Sequence, residues 1–239
     1  LLQTCPYTRI FDAPPPPKGQ HTLQDFRNIP NPYVLEPPVL GARLLQAGDL
    51  LEFSIVLVGH ARDQLALVIF ALRRALSQGL TRQRIPVELQ RVDCLDGAGN
   101  AQLIWSHTQP TLAAHATTLE VPALSPGVDS IALHIHTPLR LQSQGQPLRV
   151  DQLTPRALVA AVARRAALLL EFPAGQRGWG DAAKHVTHVS EALTHERDLY
   201  WFDWTRYSSR QHQEMTLGGV LGSWTLRGNA DVLAEVWPW

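Results

Sequence analysis

Arginine, histidine and a short aromatic segment are the parts of this chain whose types and spacing point to chemistry. Arg82 and Arg84 flank Gln83 shortly after Gly79, Arg164 and Arg165 stand side by side in an Ala/Leu-rich stretch, and Arg140 follows Pro138-Leu139. A guanidinium presents a planar fork of donors that matches phosphate oxygens and also stacks on bases. These positions are therefore candidates for contacts to a polyanion, although the same residues also serve as ordinary solvated loop and helix charges. The segment from Asp198 to Gly228 adds rings and a polar turn. Tyr200, Phe202, Trp204 and Arg206 alternate with Leu199, Trp201, Asp203 and Thr205, so one face can bury rings. Ser208, Ser209, Arg210 and Gln211 then form a turn that presents hydroxyls, a guanidinium and an amide to a partner. The combination suits RNA, while a buried aromatic hairpin with a plain polar turn is the simpler structural account.

Ten histidines supply candidate acids, bases and metal ligands. His60 sits between a strand and a helix, where a side chain can face a cleft, and it is the weak candidate for a catalytic group; a loop histidine without chemistry is the alternative. His134 and His136 alternate against Ile131, Leu133 and Ile135, so they share a strand face and could reach one phosphate or one metal, which would still need a third ligand. His188, Glu191 and His195 fall within about 60° of one another if the segment is helical. Val186, Val189 and Leu193 occupy the opposite face, which turns this cluster toward solvent with Lys184. No metal site or cofactor site is expected. Nor does the chain carry a Walker lysine motif, a dinucleotide-binding glycine fingerprint, a paired-cysteine zinc pattern or a nucleophile-elbow serine.

The elements that must position these side chains follow from periodicity. Pro14–Pro17 with Lys18 and Gly19 make a stiff connector. Residues 51–58 read as a mostly buried strand, and Leu65, Val68, Ile69, Leu72 and Leu76 then recur at helical spacing until Gly79. Pro86–Leu95 alternates as a strand, Asp96-Gly97 is a turn, and residues 101–121 read as short strands or a hairpin. Pro122–Gly127 marks the expected boundary between an amino-terminal unit, 1–125, and a carboxy-terminal unit, 126–239. In the second unit a strand through Ile131–Ile135 precedes a helix from Thr154-Pro155 to about Leu170. A second helix runs from Asp181 to about His195; the aromatic strand, a strand over Met215–Leu226 and a helix starting at Asp231 complete the order.

At 239 residues the chain can bury a large core, with 45% hydrophobic content and a formal net charge of zero. It contains no apolar run of membrane-spanning length and no basic region leading into an apolar stretch, so a soluble, cytoplasmic protein is expected. Cys5 and Cys94 are too few for a disulfide framework, and Cys5 reads either as a free thiol or as the last member of a larger cysteine cluster. Neutrality does not exclude nucleic acid, because the charge is uneven. Arg73–Arg91 holds five arginines against Glu88, and Thr137–Gly180 holds six against Asp151 and Glu171. Of the 21 basic residues 19 are arginine, a bias that suits phosphate contact and that a G- and C-rich genome would also produce.

Four segments, in this order, carry a resemblance. They are Cys5-Pro6-Tyr7 followed by the proline run and Pro32-Tyr33-Val34-Leu35-Glu36-Pro37-Pro38; Gly48–Arg84; Thr137-Pro138-Leu139-Arg140-Leu141; and the aromatic tract Asp198–Gly228. Together they resemble the CRISPR-associated endoribonucleases of the RAMP superfamily that cut precursor CRISPR RNA. The resemblance implies an α+β protein of two tandem ferredoxin-like units whose facing sheets form a basic groove for CRISPR repeat RNA. It implies metal-independent cleavage leaving a 2′,3′-cyclic phosphate, or, for a non-catalytic member, RNA binding or a structural role among the proteins of a CRISPR effector complex. It places Arg82 and Arg84 in a Gly- and Arg-rich loop near RNA, and Arg164 and Arg165 on a basic helix that contacts a repeat stem. Both units read as incomplete against the family: its first strand and the helix with its usual catalytic histidine would precede Leu1, and its glycine-rich loop and final strand would follow Trp239.

Overall fold

The structure, a computed structural model, describes residues 5–12, 29–38, 44–81, 83–116, 119–120, 122–172, 174–175, 182–208 and 213–238. It divides into two compact units, one of Leu1–Val34, Ile55–Pro122 and Phe172–Gln176, the other of Leu35–Ser54, Ala123–Glu171 and Arg177–Trp239.

In the first unit, Pro6 opens the short helix α1 (Pro6–Phe11), since its fixed φ costs nothing where no intrahelical donor is needed. Phe11 sits with its ring centroid 5.6 Å from that of Tyr33, the first residue of β1 (Tyr33–Glu36), which pairs with β2 (Ser54–Leu57). A 3-10 turn over Gly59–Gln64 leads into α2 (Leu65–Gln78), which buries Val68, Ile69 and Leu76 of the expected stripe. Gly79 ends α2 with φ +104°, and a Cβ there would run into the backbone of Arg84, so only glycine lets the chain fold back this tightly. β3 (Arg91–Leu95) pairs antiparallel with β4 (Ala101–Ser106) around the Asp96 turn, where Asp96 Oδ1 accepts from the backbone N–H of Ala98 and Asn100. β3 is shorter than the expected strand from Pro86. Pro86 has no N–H to give a ladder, and Val87 instead donates its N–H to the Leu76 carbonyl at the end of α2.

The second unit begins with β5 (Ser130–Leu139) and a tight hairpin of β6 (Gln142–Ser143) and β7 (Gln146–Pro147). Gln144 and Gly145 turn that hairpin with φ +51° and +79°, the positive pair that a two-residue loop between twisted strands requires. α3 (Pro155–Glu171) starts as its sequence signals: Thr154 Oγ1 accepts from the Ala157 N–H, and Pro155 takes the first helical position. α4 (Ala182–Glu191), β8 (Thr194–Ser208), β9 (Gln213–Arg227) and α5 (Ala230–Val236) follow, α5 being capped by Asn229 Oδ1 accepting from Val232 N–H at 2.8 Å. The helix expected to reach His195 ends at Glu191 instead. Thr194–Ser208 pairs residue for residue with Gln213–Arg227, and that fifteen-rung ladder outweighs the local helical pattern of His188, Glu191 and His195.

The sheet order is β5-β9-β8, all antiparallel. Read along the chain, strand, helices, strand, strand, helix with the third strand between the first two is the ferredoxin-like arrangement of an α+β protein. Its core lies on one face of the sheet, where Val220, Trp224 and Leu226 of β9 meet Leu158, Val159 and Ala163 of α3, Val186 and Val189 of α4, and Leu233 of α5. Trp224 is fully buried; emptying such a site costs about 3–5 kcal/mol. Among the described residues no helix is long and apolar enough to cross a membrane.

Candidate nucleic-acid interface

α3 carries the most regular basic feature. Its apolar stripe faces the core, which leaves Arg156, Ala160 and Arg164 exposed at four-residue steps with Arg165 beside them. At about 100° per residue Arg164 stands about 80° round the helix from Arg156 and Arg165 about 100° further, so the three exposed guanidiniums fan around α3. Partial burial lowers the pKa of Arg165 from its ordinary value, a mark of lost hydration with the charge retained. The sequence reading named Arg164 and Arg165 but missed Arg156, although its spacing of eight residues from Arg164 on a helix was the available signal.

Arg84 lies at the end of the turn after α2. Leu80 and Ile85 bridge antiparallel across that turn, Thr81 and Arg84 both adopt positive φ (65° and 52°), and the Arg84 side chain is exposed. Positive φ at two residues with a Cβ stores backbone strain of order 1–3 kcal/mol each, so the loop is held by its flanks and not by local preference. Arg140 lies after β5 and donates from Nη1 to the Gly218 carbonyl of β9 at 3.0 Å, so one N–H braces the strand while the residue stays exposed. Arg82, Ser209, Arg210 and Gln211 lie outside the described residues, and Ser208 ends β8.

Two other arginines are structural. Arg197 donates to the carbonyls of Val150 and Leu153, and the Arg149 guanidinium sits 3.9 Å over the Trp201 ring, whose Nε1 donates to Asp203 Oδ1 at 2.8 Å. Leu199 and Trp201 pack against the core while Tyr200 and Phe202 are exposed, so of the two alternating faces that the sequence left open it is the Leu199–Trp201 face that packs on the core. β9 decides the matter: Val220 and Trp224 belong to the core, and their partners Trp201 and Arg197 share that face.

The histidines separate into distinct settings. His60, in the 3-10 turn, has Nε2 3.2 Å from the Arg9 carbonyl, which makes Nε2–H the donor and braces α1 against that turn. His134 Nδ1 lies 3.2 Å from Ser223 Oγ, and its ring stacks on that of His136. His188 and Glu191, with Lys184 and Thr187, line a shallow depression on the exposed side of α4. His195 is remote from them in role, since its Nδ1 accepts the indole N–H of buried Trp224 at 3.1 Å. Burial, and after it the Arg197 charge, lowers the His195 pKa below the usual imidazole value. Among the described residues no three His, Cys, Asp or Glu side chains converge so as to hold a metal ion.

Comparison with known proteins bears on the fold. Residues 1–117 match the family model AF_1859_N, described as an N-terminal domain. No curated protein matches the sequence. Among solved structures the chain is similar to a Cas6 (TTHB231) product complex, with a TM-score of 0.52 and 17% sequence identity over 86% of this chain and 73% of that one. The α+β arrangement of helices and antiparallel sheets described above is thus that of a Cas6-like fold.

Proposed function

We propose that this chain binds CRISPR repeat RNA and takes part in the metal-independent endonucleolytic processing of precursor CRISPR RNA. The observation that carries the reading is the Cas6-like fold over 86% of the chain, reached independently of the four sequence segments that resemble the RAMP endoribonucleases. The exposed guanidiniums of Arg156, Arg164 and Arg165 on α3, and separately that of Arg84 in the strained turn of the other unit, are phosphate contacts, and Arg140, Arg82 and Ser208–Gln211 are further candidates read from the sequence. Cleavage of this kind requires a base for the ribose 2′-hydroxyl, an acid for the departing 5′-oxygen and donors for the crowded phosphate. Arginine meets the last need.

One observation favours a second reading, in which the chain holds RNA without cutting it or serves as a structural subunit of a CRISPR effector complex. His60, the histidine nominated for chemistry, engages a main-chain carbonyl through Nε2. A synthetic repeat RNA in single-turnover assays separates the two: a product ending in a 2′,3′-cyclic phosphate supports the enzyme, and binding without cleavage supports the holder.

Binding itself is tested through the arginines. Arg84→Ala and Arg164→Ala are each expected to flatten the dependence of log K on log salt by about one ion, because every neutralised phosphate releases counterion. Thermal stability changes little, since both side chains are exposed. Unchanged salt slopes in folded variants would remove these residues from the interface.

A further inference from the structure

The face of the β5-β9-β8 sheet opposite the core holds an unusual set of rings. Tyr200 and Phe202, alternate residues on β8, are 59% and 42% exposed. His134 and His136 on β5 are also exposed, with ring centroids 6.3 Å apart. Tyr200 pairs with Leu221, Phe202 with Gly219 and His134 with Ser223, all positions whose neighbours along β9 point into the core. Paired residues share a face, so the four rings lie on one surface with Gly219, Leu221 and Ser223 of β9 between them. Leu221, Ser223, Thr225 and Ala132 stand between and beside the rings, and the half-buried Trp204 continues the row beyond Phe202, opposite Leu217.

We propose that this face is a stacking platform for single-stranded RNA, with Tyr200 and Phe202 each receiving one base and His134 and His136 meeting the same strand on the β5 side. The proposal rests on the RNA-binding reading above and assigns it a surface separate from the arginines of α3. Alternate residues of a strand stand about 6.8 Å apart. That is about twice the 3.4 Å spacing of stacked bases, so neighbouring bases of an extended strand can each lie on their own ring. Charge is arranged to match: Arg140, bonded to Gly218, stands beside the Gly219–Phe202 rung as the phosphate contact, whereas Arg227 at the far end is already paired with Glu196 at 3.1 Å. Asp198, opposite Ser223, is an acceptor for a base amino group.

The test is fluorescence anisotropy with two probes, an unstructured ten-nucleotide oligoribonucleotide and a repeat hairpin lacking single-stranded flanks. Tyr200→Ala and Phe202→Ala are each expected to weaken the unstructured probe by about 5- to 150-fold, the range of one base–aromatic contact. Tyr200→Trp and Phe202→Tyr retain binding, and the hairpin is held nearly as before by every variant. Circular dichroism and melting confirm that the exposed truncations still fold. Wild-type protein that binds the hairpin, with alanine variants that bind the unstructured probe unchanged, overturns the platform alone. Wild-type protein that binds neither probe overturns the RNA reading as well. A sedimentation shift from dimer to monomer in the alanine variants would instead assign the face to a second copy of the chain and overturn the proposal.

Discussion

At the scale of single residues, the two cysteines show how position divides one chemistry into two behaviours. Cys5 is exposed at the start of α1, where the backbone N–H of Thr8 and then of Tyr7 lower its pKa by favouring the thiolate. Cys94 is half-buried in β3, with Sγ 3.5 Å from the Ala116 carbonyl. The thiolate is the reactive form, so limited iodoacetamide at neutral pH is expected to label Cys5 well before Cys94, as read by peptide mass spectrometry. Equal labelling rates would mean that the N–H groups of α1 do not act on the sulfur. Residue types announced such candidates readily, but not which side of a strand they would take. Leu199 and Trp201 compete with Tyr200 and Phe202 as the apolar set of β8, and both sets alternate equally well. The choice is made by β9, whose Val220, Trp224 and Leu226 commit one face to the helices, a partner more than fifteen residues away that periodicity within β8 cannot reveal.

At the scale of elements, the boundary between α4 and β8 carries a pH-dependent contact. His195 opens the core-facing side of β8, and its neutral ring accepts the indole N–H of Trp224 from β9. Burial and Arg197 lower its pKa in the folded protein, while in the unfolded chain it titrates near about 6.5. The unfolded state therefore takes up the proton first as pH falls. The stability tied to this contact is complete above about pH 6.5 and is lost as pH drops through the lower folded value. Melting temperatures between pH 7.5 and 5 are expected to fall more steeply for the wild type than for His195→Gln, whose amide carbonyl accepts the same bond without titrating. Parallel pH profiles would show that the ring contributes nothing. This boundary is also where element reading from sequence failed, since His188, Glu191 and His195 fit a helical period while His195, Arg197 and Leu199 fit a strand period. α2 and α3, by contrast, were legible because an apolar stripe, a Thr-Pro start and a glycine stop all agree within one segment.

At the scale of the whole molecule, the order of segments was more legible than any site. Strand, strand, helix and strand in the first unit, and strand, helices, strand, strand and helix in the second, were readable because each transition is punctuated by proline, glycine or a capping residue. The chemistry is not punctuated in that way, and the net charge of zero conceals the three exposed arginines of α3, Arg156, Arg164 and Arg165. On the proposed function, such arginines bear on how RNA would be cut. Guanidiniums can neutralise the phosphate while a histidine and a second donor move the protons at the 2′- and 5′-oxygens, a division of labour that assigns no step to a divalent ion. Single-turnover cleavage of a repeat RNA by the full protein is accordingly expected to proceed at an unchanged rate in excess EDTA, and its pH profile to report the acid and base in place of a metal-bound water. Because chelation at fixed ionic strength leaves the Arg–phosphate contacts intact, affinity is expected to stay constant in the same experiment. Cleavage that stops on chelation and returns with a divalent ion, while binding persists, would overturn the metal-independent mechanism without touching the RNA-binding surface, and would direct attention to His134 and His136 as ligands needing a third partner.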